Sequence, residues 1–302
     1  MLSRLPFRCM LLLLASSHAE ASAAAAATGN SFRKTYSAAA SRRAKALSRP
    51  LLKSSVKYRR IVAPTSISDR SRRMGALMVA ELKRKLHTKV ADLSEAFEPV
   101  LKARGILCEL DTLYLLKACR KLEMTMKLIG QRQSAREMEN NIHKVEALYH
   151  SAPHARRKTL EMLLEYEKEL GIHQPNGILK DPSVAMGFLW IRRSLSFQYK
   201  MYSLILDSNL STTEAALSAY RTELEPFHGW ALQRIHTLAL KTTPPSHELL
   251  ATIGGFRDEN FGRIEEEVVR RDLRQLLSTW RPILTRWKND YAKLDLEDKR
   301  QV

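Results

Sequence analysis

From about residue 70 to its end, this chain sets its apolar residues three and four apart and breaks that rhythm only at caps and breakers. Val79, Leu82, Leu86, Val90 and Leu93 begin the pattern, which keeps one face of a 3.6-residue helix apolar. Leu110–Ile129, Ser134–Tyr149 and Arg156–Leu170 read as helices, the last closed by Gly171. Asp181 followed by Pro182 reads as an N-cap with Pro at the first helical position, opening a helix to about Leu206. Ser211 with Glu214 forms a capping box for a helix to about Thr222. Pro226 opens a helix that carries His228 and Trp230 to about Leu240, and Ser246 caps Leu249–Ile253. Asn260–Leu277 and Pro282–Leu294 are the last two long elements. No alternating strand of useful length, no repeat and no 18-residue apolar span appears. The expected fold is all-α.

The head of the chain follows other rules. Met1–Arg8 is basic, Cys9–Ala15 is an apolar run too short to span a bilayer, and Ala21-Ser22-Ala23 has the small-residue pattern of a cleavage site. Residues 24–66 contain no acid and are rich in Ala, Ser and Arg. Three readings fit: an organelle presequence, a disordered basic extension, or an unused upstream start with Met74 as the internal one. We therefore divide the chain into a basic Ala/Ser/Arg-rich extension, 1–69, and a helical domain, 70–302.

Charge narrows the function classes only slightly. The net charge is +18, yet residues 1–69, with 12 Lys/Arg against 2 Asp/Glu, hold +10 of it. The helical part is mildly basic, which suits nucleic acid or an anionic membrane surface equally. Cys9, Cys108 and Cys119 form no paired spacing, so neither a metal cluster nor a disulfide framework is expected. Cys108 and Cys119 read as buried thiols. No serine-nucleophile motif, HExxH, glycine-rich phosphate loop or CxxC occurs, so we expect no enzyme, no cofactor and no metal.

Three short stretches carry chemistry. Glu137, Asn141 and Lys144 stand at i, i+4 and i+7, on one helix face. A carboxylate, an amide and an ammonium there supply the acceptors and donors that hydroxyls and an amide require; the alternative is a solvated face with a helix-stabilising Glu–Lys pair. Trp190 lies in Met186-Gly187-Phe188-Leu189-Trp190-Ile191, followed by Arg192 and Arg193. It suits stacking on a sugar ring at a pocket mouth, or burial in the core with the arginines snorkelling. His228, between Phe227 and Gly229-Trp230, suits an amide carbonyl, or is a satisfied structural histidine.

Taken together, the three resemble the glycolipid transfer protein family, which carries Asp-x-x-x-Asn-x-x-Lys, Leu-x-Trp-Leu-Lys-Arg-Gly-Leu and Tyr-His-Gly-Trp in this order. The resemblance covers roughly residues 75–302. It implies a two-layer helical sandwich enclosing a cavity for lipid chains, and a non-enzymatic carrier that moves a sphingolipid between membranes. Asn141, Lys144 and Trp190 would then hold the sugar and His228 the ceramide amide, with Glu137 at the position that serves both. Tyr220 and Phe227 would support the pocket, and Trp230 would dock on the membrane. In the ceramide-1-phosphate branch a basic residue replaces the Asn and an Arg the Trp, with a second Arg one turn earlier. Asn141, Trp190 and Met186 match the glycolipid branch instead, while Arg192 and Arg193 leave room for an anionic headgroup; the alternatives are ceramide-1-phosphate transfer, lipid sensing without transfer and, more remotely, a basic helical nucleic-acid-binding domain. Glu137 departs from the family's Asp by one methylene; a buried polar group left unpaired by that shift costs about 1–3 kcal/mol, about five- to 150-fold in affinity. The implied partners are a sphingolipid and, transiently, a membrane surface, with no nucleic acid, for a monomer. The implied location is cytoplasmic with peripheral membrane contact, or an organelle or secretory route if residues 1–69 direct it there.

Overall fold

The computed structural model describes residues 86–104 and 107–301. The readings of residues 1–69, and of the helical spacing at Val79 and Leu82, lie outside the described residues. Within them the chain is mostly helical, and short polar side chains mark where helices begin. Helix α1 is Lys89–Phe97. The hydroxyl of Thr88 accepts from the Ala91 amide at 3.0 Å and donates to buried Asp272 at 2.9 Å, so one cap also ties the helix to a distant one. Asp111 caps α2, Thr112–Leu128, and Thr159 caps α4, Leu160–Glu169. Helix α3 is Arg132–Tyr149. Gly171, at φ 64°, lets the chain turn left-handed after α4.

The longer helices follow. Helix α5, Val184–Asp207, is capped by Ser183 rather than Asp181: the Ser183 hydroxyl accepts from the Met186 amide at 3.0 Å. The buried carboxylate of Glu167 takes the Val184 and Ala185 amides at 2.6 and 2.7 Å. Three of the four orphan amides of this helix are thereby satisfied. Helix α6, Thr212–Glu223, has the expected Ser211–Glu214 capping box. Helix α7 is Trp230–Leu240 and α8 is Ser246–Gly254, with Pro245 rather than Ser246 at its N-cap.

Four other expectations fail. Residues 156–159 are not α-helical; a 3₁₀ turn, His154–Arg156, precedes α4. Two short strands, β1 (Leu101–Arg104) and β2 (Leu107–Leu110), pair antiparallel with Leu101 opposite Leu110. Four residues per strand are too few to show a period of two. Cys108, on β2, is exposed, and only Cys119 is buried. The two last elements are one helix, α9, Arg263–Leu294, running 32 residues through Pro282. An interior proline costs about 3 kcal/mol or more. Trp280, Ile283 and Trp287, at most 1% exposed, flank it on the buried face. Burying each contributes about 1.5–3 kcal/mol, so packing outweighs the break.

Helix α5 lies at the centre, against α3 and α6 and also against α4 and α9, while α1 and α8 pack on α9. The helices form a two-layer sandwich whose core is apolar and aromatic. Phe97 meets Trp280 edge-on at 5.5 Å, and Phe188 meets Trp287 at 5.4 Å. Between α1, α2, α5, α8 and α9 lies a cavity of about 20 Å³, lined chiefly by Leu93, Met126, Ile129, Tyr202, Leu273 and Trp280. It is closed down to roughly the room of a single water molecule.

Candidate functional site: an aromatic and polar cluster where α3 crosses α5

The site depends on one glycine. A Cβ at Gly187 would lie 2.7 Å from the Asn141 carbonyl oxygen, 3.0 Å from Val145 Cγ2 and 3.3 Å from Lys144 Cβ. No other residue lets the backbones of α3 and α5 come this close. The crossing sets Asn141 and Lys144 of α3 beside the turn of α5 that leads to Trp190.

On α3 the three expected polar residues are half-buried. Lys144 leaves its own helix and pairs with Asp181, ahead of α5, at 2.8 Å. Glu137 accepts from Gln133 Nε2 at 3.3 Å. Burial pushes the Glu137 carboxyl above its ordinary value, opposed by the Gln133 hydrogen bond. A solvated Glu–Lys pair is therefore not what this face carries. The carboxyl sits where a ligand's N–H or hydroxyl donors would favour its ionised form.

Around Trp190 the other elements converge. Its ring stacks on His228 with centroids 5.8 Å apart and planes 22° from parallel. His228 is 3% exposed, and its Nδ1 shares a 3.1 Å hydrogen bond with the hydroxyl of buried Tyr220. The shared bond orients the ring, leaving Nε2 as the other polar atom of the imidazole. The sequence places His228 on α7, but the chain there is a 3₁₀ turn, Glu225–Phe227, followed by extended backbone at His228 and Gly229. Pro226 belongs to that turn, and α7 starts only at Trp230. The outcome for the side chains still matches: His228 points inward, while Trp230, 70% exposed, points out with the Arg234 guanidinium 5.0 Å from its ring.

Three features were missed in the sequence. His236 on α7 lies 4.5 Å from His228 and stacks on Tyr220 at 5.3 Å with planes 8° apart. Arg192 and Arg193 do not snorkel; they are 6% and 3% exposed. Their partner is Glu297, in the segment after α9: Arg192 holds both its oxygens at 2.7 and 2.5 Å, and Arg193 reaches one at 3.4 Å. The guanidinium of Arg193 covers the half-buried Phe227 ring at 3.4 Å and lies 5.1 Å from the Trp190 ring. The adjacent arginines inside an apolar run were a signal that carboxylates must meet them, but not of which carboxylate.

The structure thus gathers Trp190, His228, Tyr220 and Phe227 into one cluster, sets Asn141 and Lys144 at the α3–α5 crossing, leaves Glu137 bonded within its own helix, and turns Trp230 away. Among the described residues no group of three or more His, Cys, Asp or Glu could hold a metal ion, and no helix is long and apolar enough to cross a membrane.

Comparison with known proteins agrees with this architecture. Residues 110–255 match the model of the family described as Glycolipid transfer protein (GLTP). The chain is 28% identical over 167 residues to a glycolipid transfer protein of Xenopus tropicalis, covering 53% of this chain and 75% of that one. A solved GLTP-fold structure of FAPP2, described as selecting simple glycosphingolipids, superposes with a TM-score of 0.59 at 21% identity, over 71% of this chain and all of that one. Human ceramide-1-phosphate transfer protein, in complex with 12:0 ceramide-1-phosphate, gives a TM-score of 0.59 at 16% identity over 69% of this chain and 98% of that one. At those identities the structures speak for the fold. Helical order, fold and matched segment agree: residues 110–255 carry a domain of the glycolipid transfer protein family, a family of lipid transfer proteins and not of enzymes.

Proposed function

We propose that this protein carries a sphingolipid with a neutral sugar headgroup, a glycosylceramide, between membranes. The observation that supports this most is the stack of Trp190 on buried, Tyr220-oriented His228 beside the α3–α5 crossing. It offers a flat apolar surface for a sugar ring next to polar atoms for a ceramide amide. In this reading Asn141 and Lys144 hold sugar hydroxyls, Lys144 sharing its ammonium with Asp181, and Glu137 receives the donors that lie between sugar and amide. Tyr220 holds His228 in orientation, and Phe227 covers Arg193.

The two lipid chains enter between the helical layers. A cavity of about 20 Å³ holds no chain as it stands, so Leu93, Met126, Ile129 and their neighbours move apart on loading. Burying chain supplies most of the affinity, at about 0.8 kcal/mol per CH₂, and the polar cluster selects the headgroup. Trp230 meets the bilayer interface. Residues 70–302 act as the carrier domain, and residues 1–69 as a separate extension.

Vesicle-to-vesicle transfer of fluorescent glucosylceramide, with ceramide-1-phosphate as competitor, tests the reading. We expect glucosylceramide to move and the phosphorylated lipid to compete poorly. The reverse order of preference would refute the neutral headgroup. Lipid retained by the protein without transfer would make it a sensor rather than a carrier.

A further inference from the structure

Beneath Trp190 lies a group of charges that the proposed reading does not use. Arg192 and Arg193 place two guanidiniums side by side, both buried. Glu297 supplies one carboxylate to the two. Asp298 gives Arg193 only its backbone carbonyl, because its carboxylate is engaged by Arg300 and by the Leu179 amide at 3.0 Å. Tyr291 lies under Arg192, with the guanidinium 5.4 Å from its ring. The Nε–H groups of both arginines are buried with no acceptor among the described residues. Burial holds Arg193 below the usual guanidinium range, at about 10, with Glu297 opposing. Two buried cations thus share one anion and still have donors to offer.

A phosphomonoester matches this arrangement better than a carboxylate does. It carries about −1.5 to −2 charges near neutral pH and three acceptor oxygens, and forked guanidiniums bind it bidentately. Its place would be close to a headgroup on Trp190, since Arg193 lies 5.1 Å from that ring. The segment that carries Glu297 has anchors of its own: Leu296 is buried, and Lys168 Nζ donates to the Leu294 carbonyl at 2.6 Å.

We propose that Arg192 and Arg193 form a latent phosphomonoester site beside the headgroup pocket, and that Glu297 determines specificity by occupying it and so keeping the pocket selective for neutral headgroups. This rests on Trp190 being the headgroup contact. Glu297 pairs with both arginines but leaves their Nε–H groups without an acceptor, and an incoming phosphate would have to displace it from a closed contact.

The test is Glu297→Gln in the full chain. The probes are ceramide-1-phosphate against glucosylceramide in vesicle transfer, and inorganic phosphate in thermal unfolding. We expect the ratio of ceramide-1-phosphate to glucosylceramide transferred to rise at least about tenfold, as a gained charge-assisted hydrogen bond implies. Phosphate should raise the melting temperature of this variant more than that of the parent. Adding Arg193→Gln should remove both effects. An unchanged headgroup ratio with no phosphate effect overturns the proposal, as does a gain that survives Arg193→Gln. Should Glu297→Gln alone fold poorly, Arg192→Gln/Glu297→Gln removes one charge with its partner; a phosphate effect there that adding Arg193→Gln abolishes is expected, and one that survives Arg193→Gln overturns the proposal. If the parent moves neither lipid, the transfer reading fails, while the phosphate arm still decides whether the arginine site exists.

Discussion

Gly187→Ala is the sharpest test of how the site is built. The added methyl would sit 2.7 Å from the Asn141 carbonyl oxygen and 3.0 Å from a Val145 methyl. The oxygen belongs to the backbone of α3, so the clash is not relieved by a rotamer change. The helices must part by roughly 0.5–0.7 Å to restore ordinary van der Waals separation. Overpacking of this kind costs about 1–3 kcal/mol, against a gain of about 0.5–1 kcal/mol from replacing glycine inside a helix. A net loss of about 0–2.5 kcal/mol in chemical denaturation follows. The larger effect should fall on the site, because Asn141 and Lys144 move with α3 while Trp190 stays with α5. Displacements of this order cost up to about a hundredfold in closely oriented sites; for a bound headgroup we expect at least a tenfold loss of glucosylceramide transfer. Circular dichroism, urea unfolding and vesicle transfer on the same preparation make the measurement. Parent-like stability together with parent-like transfer would show that the crossing does not position the headgroup site.

Trp190→Ala should abolish glucosylceramide transfer yet keep the helical fold, since the ring is only partly buried; transfer at the parent rate would remove Trp190 from the site. Burial raises the Glu137 pKa above 4.5, and ligand donors would favour its ionised form. Glycolipid affinity should therefore weaken as pH falls from neutral through that raised value, and Glu137→Ala should weaken binding and flatten the dependence, whereas Glu137→Asp should bind at least as well as the parent. The same pH profile in the parent and in Glu137→Ala would place the titration elsewhere. Trp230→Ala should leave stability within about 0.5 kcal/mol, as for an exposed side chain, and slow transfer. The parent-minus-variant fluorescence spectrum should shift to the blue on adding vesicles, and no shift with normal transfer would free Trp230 of a docking role. Thiol reagents should modify exposed Cys108 and spare Cys119, whose pKa burial raises to about 12.

Much of this protein is local chemistry and can be read in order along the chain. Ser211 and Glu214 cap α6 by contacts across three residues, and the three- and four-step apolar spacing of α2, α3 and α5 needs no distant partner. His228 and Trp230 face different ways, as expected, but not for the helical reason: His228 lies on extended backbone ahead of α7, and Trp230 opens the helix. Tertiary structure decided what depends on residues far apart. Pro282 looks like a helix break until Trp280 and Trp287 are seen buried around it. Gly187 looks like a weak point in a helix until Asn141 is found against it. Arg192 and Arg193 look like surface charge until Glu297, 105 and 104 positions later, closes on them. His236 gave no sign of meeting His228, because the turn that brings them together is set by packing. Helix propensity, capping and amphipathic spacing act within about a turn, so sequence alone determined the helices and the residue types of the site. Burial and charge pairing act through space whatever the separation along the chain, so only the folded chain decided which of those residues meet.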